Sequence, residues 1–565
     1  MEIPMILQDK TKAVKQETLK NGIDDKYQTT NLDHLGLIAA QFEDLGLVEL
    51  INKVIPQDTE KRNVSLGHAI KAMVVNGLGF ANHTLYLMPE FFENKPVERL
   101  IGPDITAEDI NQNLLGRCLD SVYDFDPTQL YSILSSHTVK RLNLPCNGAH
   151  IDSTSFHVDG IYNSNREPKE GVVQITKGYS RDHRPDLNQL GLQLIVENKA
   201  GIPLMMKLLD GNDSDKTSFT ESINAHVKQL QTELGVQYIV GDCAMYTPKS
   251  LKSMEATFWI SRVPETLSDA KWAIEAASKD LMTDLSKDSY CCICISYAGI
   301  RQRWVVYYSP EAHQRALVSV NKQLLKSSNS DLKQYKLLQR QEFACEKDAQ
   351  KALVKLENKL KVTKINDFKI RKNGHFNKKG RPGKDAEPDY YTFHIEASIS
   401  TIIEERAERI RRKSCFILAT NQLDGSELDE EEIIRRYKKD QQKVERGFRF
   451  LKDPQFLAST LFLKKPERIM GLLMIMTLSL LVYASLEYKM RTALKENDET
   501  IPNQVGKQIA NPSMRWIFQC FSGIHVLIIN KVQEIIMNLK ENHLKILRLM
   551  GEIFQKIYCG SVIQV

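Results

Sequence analysis

AHIDSTSFHV, residues 149–158, reads as a β-strand with an acid, Asp152, at its middle, and the segments on its C-terminal side decide what it belongs to. LGLQLIVE (190–197) and PLMMKLL (203–209) read as a second and a third strand. An amphipathic helix follows over 218–234, then a buried strand over 237–240 that runs into Gly241 and Asp242, then a fifth strand over 258–263. Three strands in succession, followed by helix, strand, helix and strand, is the order of an RNase H-like α/β core built on a mixed sheet. In that order the first strand carries an acid at its middle and the fourth carries one at its end. Asp152 and Asp242 occupy those two places.

Further along, the core pattern is interrupted over 264–394. SYCCICISYAGIRQRWVVYYS (289–309) predicts a hairpin turning at Ala298 and Gly299, and 310–360 is largely helical and charged. Residues 359–384 carry ten Lys or Arg against one acid, with KKGRPGK, which contains Lys378, Lys379 and Arg381, near the end. So basic a run is either a solvated loop or an arm that tracks phosphate, and in a DNA enzyme the arm is the expectation. Residues 390–395 are strand-like, 402–412 helical, and SCFILA (414–419) is an apolar strand expected to return the chain to the core. The core is thus expected in two parts, 145–263 and 395–487, around a large β-rich and helical insertion.

On the N-terminal side, 1–30 is polar and unpatterned and reads as a mobile tail. Residues 31–144 show apolar residues at three and four spacing, broken by Pro56, Pro89, Pro103 and Pro127. Short helices with tight breaks suit a DNA-binding domain and equally a dimerisation or packing domain. The C-terminal region, 488–565, is expected to be helical packing.

YKKDQQKVERGFRFLKDP (437–454) combines an apolar stripe and an ionic stripe at helical spacing. Val444, Phe448 and Leu451 share one face, and Glu445, Arg449 and Lys452 share the neighbouring one. A carboxylate followed by two cations suits a site that holds a divalent metal against a phosphate. An amphipathic helix with a solvated ionic face has the same pattern.

The chain of 565 residues is long enough for three to four domains, and its net charge of +5 makes local charge more informative than the total. Ten scattered cysteines point to a reducing compartment, read here as the cytoplasm. Cys291, Cys292 and Cys294 alternate like a strand and lack the second pair of ligands a zinc site needs. The start of the chain shows no signal-peptide pattern. IMGLLMIMTLSLLVYASL (469–486) is just long enough to span a bilayer, but its Thr477, Ser479, Tyr483 and Ser485 favour a buried core helix, and no membrane partner is expected.

Carboxylates supplied by a strand, a strand end and a helix form the donor set of a two-metal phosphoryl-transfer site. Mg²⁺ prefers oxygen ligands and leaves places for phosphate and water, and Mn²⁺ can substitute. Two such ions would activate the attacking hydroxyl and stabilise the leaving one. Asp210, Asp213 and Asp215 compete with Asp242, but they sit in a Gly/Asn/Ser turn, whereas Asp242 ends an apolar strand where a ligand is rigidly held.

HIDSTSF, GYSRDHRPDLNQLGLQLIVENKAGIPLMMKLLDGNDSD, YIVGDCAMYT, SCFILATN and YKKDQQKVERGFRFLKDPQFLASTLFLKKPERI together resemble a DDE-type bacterial insertion-sequence transposase. The branch is the one with a large insertion before the catalytic glutamate and a tyrosine-arginine-glutamate-lysine signature. The resemblance implies an RNase H-like fold, metal-dependent cleavage at transposon ends, strand transfer into target DNA, and a homodimer on DNA. It implies Asp152, Asp242 and Glu445 as the catalytic and metal-binding triad, with Lys452 as the signature lysine. The signature spacing would put tyrosine at Lys438 and arginine at Gln441; here Tyr437 stands one residue early and the arginine is absent, with Arg449 or Lys443 as its substitute. The insertion resembles one that can stack an aromatic on a flipped base, for which Trp304 and Trp259 are the indoles to hand. Arg181 and Arg184, in the loop before the second strand, either touch DNA phosphate or close the loop through their own salt bridges. Two other functions fit the same residues: a transposase-derived DNA-binding protein without cleavage activity, and a structure-specific nuclease on the same fold.

Overall fold

The computed structural model describes residues 27–560 apart from 58–62, 81–83, 161, 163–169, 179–183, 214, 361, 378–386, 454–462 and 531–532. The chain forms two compact units, one from Met1–Ile260 with Ile434–Val565 and one from Ser261–Ile433.

The first unit opens with strand β1 (Tyr27–Asn31) and helices α1 (Leu35–Asp44), α2 (Leu66–Gly77), α3 (Gln112–Phe125) and α4 (Pro127–Arg141). Polar residues start α2, α3 and α4 by capping otherwise unpaired N–H groups. Ser65 Oγ accepts from His68 N–H, Asn111 Oδ1 from Asn113 and Leu114, and Asp126 Oδ1 from Thr128, with Pro127 occupying the first turn where no N–H is needed.

The chain then forms β2 (Gly148–His157), β3 (Gln189–Glu197), β4 (Pro203–Leu209), β5 (Tyr238–Gly241) and β6 (Phe258–Arg262), along which it leaves the unit. The strand order is β4-β3-β2-β5-β6, with β2, β3 and β4 antiparallel and β5 parallel to β2. This is the RNase H-like arrangement expected from the order of elements. The helical layer after β4 contains a five-residue π-helical stretch, Ile223–Val227, within the predicted helix.

The second unit contains α5 (Ser268–Leu281), β7 (Ser289–Tyr297), β8 (Ile300–Tyr308), α6 (Pro310–Gln339), α7 (Glu346–Glu357), β9 (Thr363–His375), β10 (Tyr390–Thr401), α8 (Ile403–Ser414) and β11 (Cys415–Thr420). The predicted hairpin is present: β7 and β8 pair around Ala298 and Gly299, whose φ angles of 56° and 83° make the tight two-residue turn that joins right-twisted strands. β11 lies between β6 and β8 in the sheet, so the apolar strand at 415–420 returns the chain to it as expected, while the second compact unit runs on to Ile433. The first half of the basic run is likewise no loop. It forms β9, paired with β10 in a long antiparallel ribbon.

Back in the first unit, α9 (Gln441–Leu451) leads towards α10 (Pro466–Glu496), the helix long and apolar enough to cross a membrane; 89% of its most apolar window is buried inside the protein. It packs against α1 to α4 and β4. Its buried hydroxyls are satisfied along the helix, Thr477 donating to the Leu473 carbonyl at 2.8 Å and Ser479 to that of Ile475 at 3.0 Å. Arg468 grips Asp120 of α3 through two 2.7 Å bonds and Lys489 holds Asp44 of α1 at 2.6 Å, which fixes the helix in register with its neighbours.

The C-terminal region departs from the all-helical expectation. β12 (His525–Ile529) and β13 (Gln533–Met537) form a hairpin, and β1 adds to it antiparallel, Tyr27 opposite Ile529 and Asn31 opposite His525. Residues 27–30, expected within a tail, are therefore strand.

Candidate active site

In the parallel pair β2–β5, Ile151 lies beside Gly241. One residue further along stand Asp152 and Asp242, and laterally adjacent residues of parallel strands point to the same face. The register thus sets two half-buried carboxylates side by side. Asp152 Oδ1 accepts the Ser153 N–H at 2.7 Å and Asp242 Oδ1 accepts the Ala244 N–H at 2.9 Å, contacts that restrict the rotamers of both acids. Gly241 permits the close approach of the strands: a Cβ there would come within 2.8 Å of Met245 Sδ and 3.1 Å of Ile151 Cγ2.

Helix α9 lies over the same strand. Near its start, Lys443 Nζ donates to the carbonyls of Asn198 and Lys199 in the turn after β3, and Asn198 N–H in turn bonds the carbonyl of Gly148 at the start of β2. Just beyond its end, Lys452 Nζ sits 5.7 Å above the ring of Phe156. His150, Asp152 and Phe156 alternate onto one face of β2. His150 hydrogen-bonds the backbone of Arg436, and its burial, with Lys443 nearby, pushes its pKa down to about 3. The residues just before and just after α9 thus meet this face of β2, the strand that carries Asp152, and α9 packs on the same strand. Val444, Phe448 and Leu451 are buried as the helical period predicts, whereas Glu445 and Arg449 are exposed. Among the described residues, no group of three or more His, Cys, Asp or Glu closes tightly enough to grip an ion.

The early position of Tyr437 has a structural counterpart. Arg436–Asp440 is one π-helical turn immediately before α9. A π-turn takes up one residue more than an α-turn, so it returns Tyr437, eight residues before Glu445, to the angular place of a residue seven before it on a regular helix. Tyr437 is only 8% exposed and packs with the core. The arginine of the signature has no counterpart at Gln441, but cations gather on the flank of α9. A cleft of about 280 Å³ is lined by Lys443, Arg446, Arg449, Phe450, Glu487 and Arg515, among others. Glu487, buried there, is paired with Arg446 at 2.8 Å and Arg491 at 2.9 Å and accepts the Met514 N–H at 3.1 Å. Of Arg446, Arg449 and Arg515, only Arg449 makes no ion pair among the described residues. Arg446 and Arg515 carried no sequence signal that set them apart, because their convergence depends on how α9 packs on α10.

The two indoles do not fit the stacking role. Trp304 is fully buried on β8, opposite Ile293 on one side and Ala419 on the other, with Nε1 donating to Gln302 Oε1 at 3.1 Å. A base cannot reach it there, and the reading as a stacking residue is corrected. Trp259 is also fully buried, edge-on to Tyr246. The exposed guanidinium of Arg184 makes two bonds to the equally exposed Asp186 carboxylate, of 3.0 and 2.8 Å, within its own loop. Arg181, Lys378, Lys379 and Arg381 lie outside the described residues. Asp210 and Asp213 serve the turn after β4, accepting the backbone N–H groups of Gln174 and Asp210 respectively. Cys291, Cys292 and Cys294 lie along β7 as the alternation predicted.

The donors at Asp152, Asp242 and Glu445 are all carboxylate oxygens on partly or fully exposed residues, a set that fits a hard divalent cation. No curated protein sequence matches the chain. A solved structure described as a cryo-EM piggyBac transposase synaptic complex with hairpin DNA aligns with 88% of this chain and 82% of its own at 10% identity and a TM-score of 0.36. The model of a domain of unknown function, DUF4277, matches residues 27–136, and the model of the transposase DDE domain matches residues 148–482, which begin with β2 and end within α10. That match covers more than half of the chain, which therefore belongs to the DDE-domain transposases.

Proposed function

We propose that this transposase nicks DNA at the ends of its element to free a 3′-hydroxyl and then joins that hydroxyl to target DNA, both at a site made by Asp152, Asp242 and Glu445. The observation that supports the proposal is the β2–β5 register, in which Ile151 pairs with Gly241 so that Asp152 and Asp242 follow on adjacent strands, with the helix bearing Glu445 packed against β2. DDE transposases generally use divalent metal ions, and these three carboxylates would hold two Mg²⁺, with Mn²⁺ able to substitute. When bound, the ions supply activation of the attacking hydroxyl and neutralisation of charge on the phosphate and leaving oxygen. The chain's own contribution is to hold the acids on a rigid sheet and to bring cations to the phosphate. Lys452, held over Phe156, and Arg449, exposed on α9, are placed to bind the DNA backbone beside the acids. Transposition joins two ends, so the working form is a homodimer on terminal-repeat DNA, in the cytoplasm of a bacterial cell.

The test incubates purified protein with its flanking inverted-repeat DNA, a target plasmid and Mg²⁺, and scores cleavage and joining separately. Asp152→Ala, Asp242→Ala and Glu445→Ala should each abolish Mg²⁺-dependent cleavage while end-DNA binding persists. An active Asp242→Ala would overturn the second ligand. Cleavage without joining would favour a nuclease, and binding without either a DNA-binding derivative.

A further inference from the structure

We propose that the β9–β10 ribbon of the second unit is a duplex-DNA docking surface that lies in the major groove. The proposal rests on the transposase reading above and gives that activity a DNA-binding surface separate from the acids.

The pairing register sorts the ribbon into two faces. Ile370 opposite Ile395 and Ile365 opposite Ile399 lie on one side and join a core with Tyr335 and Leu338 of α6 and Leu353 and Leu356 of α7. On the other side stand Lys369 opposite Glu396, Arg371 opposite His394, Asn373 opposite Thr392 and His375 opposite Tyr390; past a bulge, Lys364 lies opposite Ser400. No aliphatic side chain occurs among these. A solvated polar face is ordinary for an antiparallel ribbon packed on one side. Its sign is what stands out here: on the two strands Lys364, Lys369 and Arg371 outnumber Glu396, and Glu342, 3.8 Å from His394, borders the face. The Arg371–Glu396 pair spans 3.2 Å with both side chains more than half exposed, a weak contact that a phosphate can displace. At the far end of this face, Tyr390, half exposed, stacks on His375 with centroids 4.9 Å apart and planes 7° from parallel. Cations along a shaft with exposed rings at its tip are the chemistry of a nucleic-acid surface, the former for phosphates and the latter for bases or sugars. Size agrees. Two strands about 5 Å apart with their side chains match a groove about 12 Å wide, and thirteen residues of β9 extend roughly 40 Å, about one turn of B-DNA.

The experiment measures affinity of the full-length protein for terminal-repeat duplex, scrambled duplex and the corresponding single strands across a salt series. The triple variant Lys364→Gln, Lys369→Gln, Arg371→Gln should lower the log–log salt slope on duplex by about 2 to 3, at ~0.9 for each phosphate left without its cation. Glu396→Gln should strengthen duplex binding, a gain that misfolding would not produce, and Tyr390→Ala should weaken it severalfold with little change in slope. A triple variant whose duplex slope stays within about 0.5 of wild type would overturn the ribbon while leaving the transposase reading intact. So would a loss of affinity confined to single strands. Wild-type protein without affinity for any duplex would overturn the transposase reading, and this one with it.

Discussion

Replacing Glu197 by Ala should loosen the turn from which α9 is hung. The carboxylate is fully buried at the end of β3 and accepts four backbone N–H groups of the following turn, from Lys199 at 2.7 Å, from Ala200, from Gly201 at 2.6 Å and, at 3.5 Å, from Ile202. Lys199 is exposed and Ala200 half-buried, so water can replace the lost acceptor there, at a net cost of roughly 0.5–1.5 kcal/mol each; Gly201 is buried, and its orphaned N–H costs about 1–3 kcal/mol. Burial opposes this by raising the pKa of the carboxyl group, so its removal relieves a desolvation penalty, and the net loss comes to about 2–4 kcal/mol. Native-state hydrogen exchange should show it as a fall of roughly 30- to 1,000-fold in protection of the Gly201 amide. Because Lys443 of α9 donates to the carbonyls of Asn198 and Lys199 in this turn, cleavage should fall as well while DNA affinity holds. Glu197→Gln, which keeps an acceptor oxygen, should recover most of both. Protection in Glu197→Ala within about threefold of wild type would refute the reasoning, since it would mean that the turn holds its shape without the carboxylate.

Three further outcomes are expected. His34 is fully buried between the rings of Phe80 and Phe518, and burial lowers its pKa to about 4 from the ordinary 6.5. Its contribution is therefore complete above about pH 6.5 and lost as pH falls towards 4, about 3 kcal/mol in all; His34→Phe should flatten the loss of stability over that window, leaving the part due to His150. Gly211→Ala should be severely destabilising, because a Cβ would lie 2.1 Å from the Gln189 carbonyl oxygen and 2.5 Å from that of Thr176, whereas Gly235→Ala, in open space at a φ of 71°, should cost only about 1 kcal/mol in the same denaturation series. Trp304→Phe should cost the second unit about 1–3 kcal/mol, by leaving a gap and the buried Gln302 oxygen without its donor, and should leave DNA affinity unchanged; the reverse pattern would restore the stacking role.

What was legible in the sequence is what local pattern encodes. The strands at 149–158, 190–197, 203–209 and 258–263 appear within a residue or two of their expected ends, since apolar content and turn residues bound each one. The placement of Asp152 and Asp242 followed from the order of those strands. Pairings between remote segments left no such mark. Nothing in YQTTN announces that residues 27–31 complete a sheet with 525–529, almost five hundred residues away. Trp304 looked available because a hairpin read by itself has two open faces, and only the pairing of β8 with β11 showed it to be interior. The basic run looked incapable of order because charge was counted along the chain, where the pairing of β9 with β10 places alternate residues on opposite sides. The π-turn before α9 was half visible, as a tyrosine one residue out of step whose cause lay in backbone geometry.

The division of the first unit into two distant stretches also orders events during synthesis. Asp152 and Asp242 leave the ribosome with the first stretch, whereas α9, α10 and the strands that close the unit belong to the second, beginning at Ile434. At about 5–20 residues per second, the intervening segment takes of order ten to thirty seconds to make. Throughout that interval the nascent chain holds Asp152 and Asp242, two of the three proposed ligands, and lacks the helix that carries Glu445. The helix that bears Glu445 therefore arrives late, after the whole of the second unit has been made.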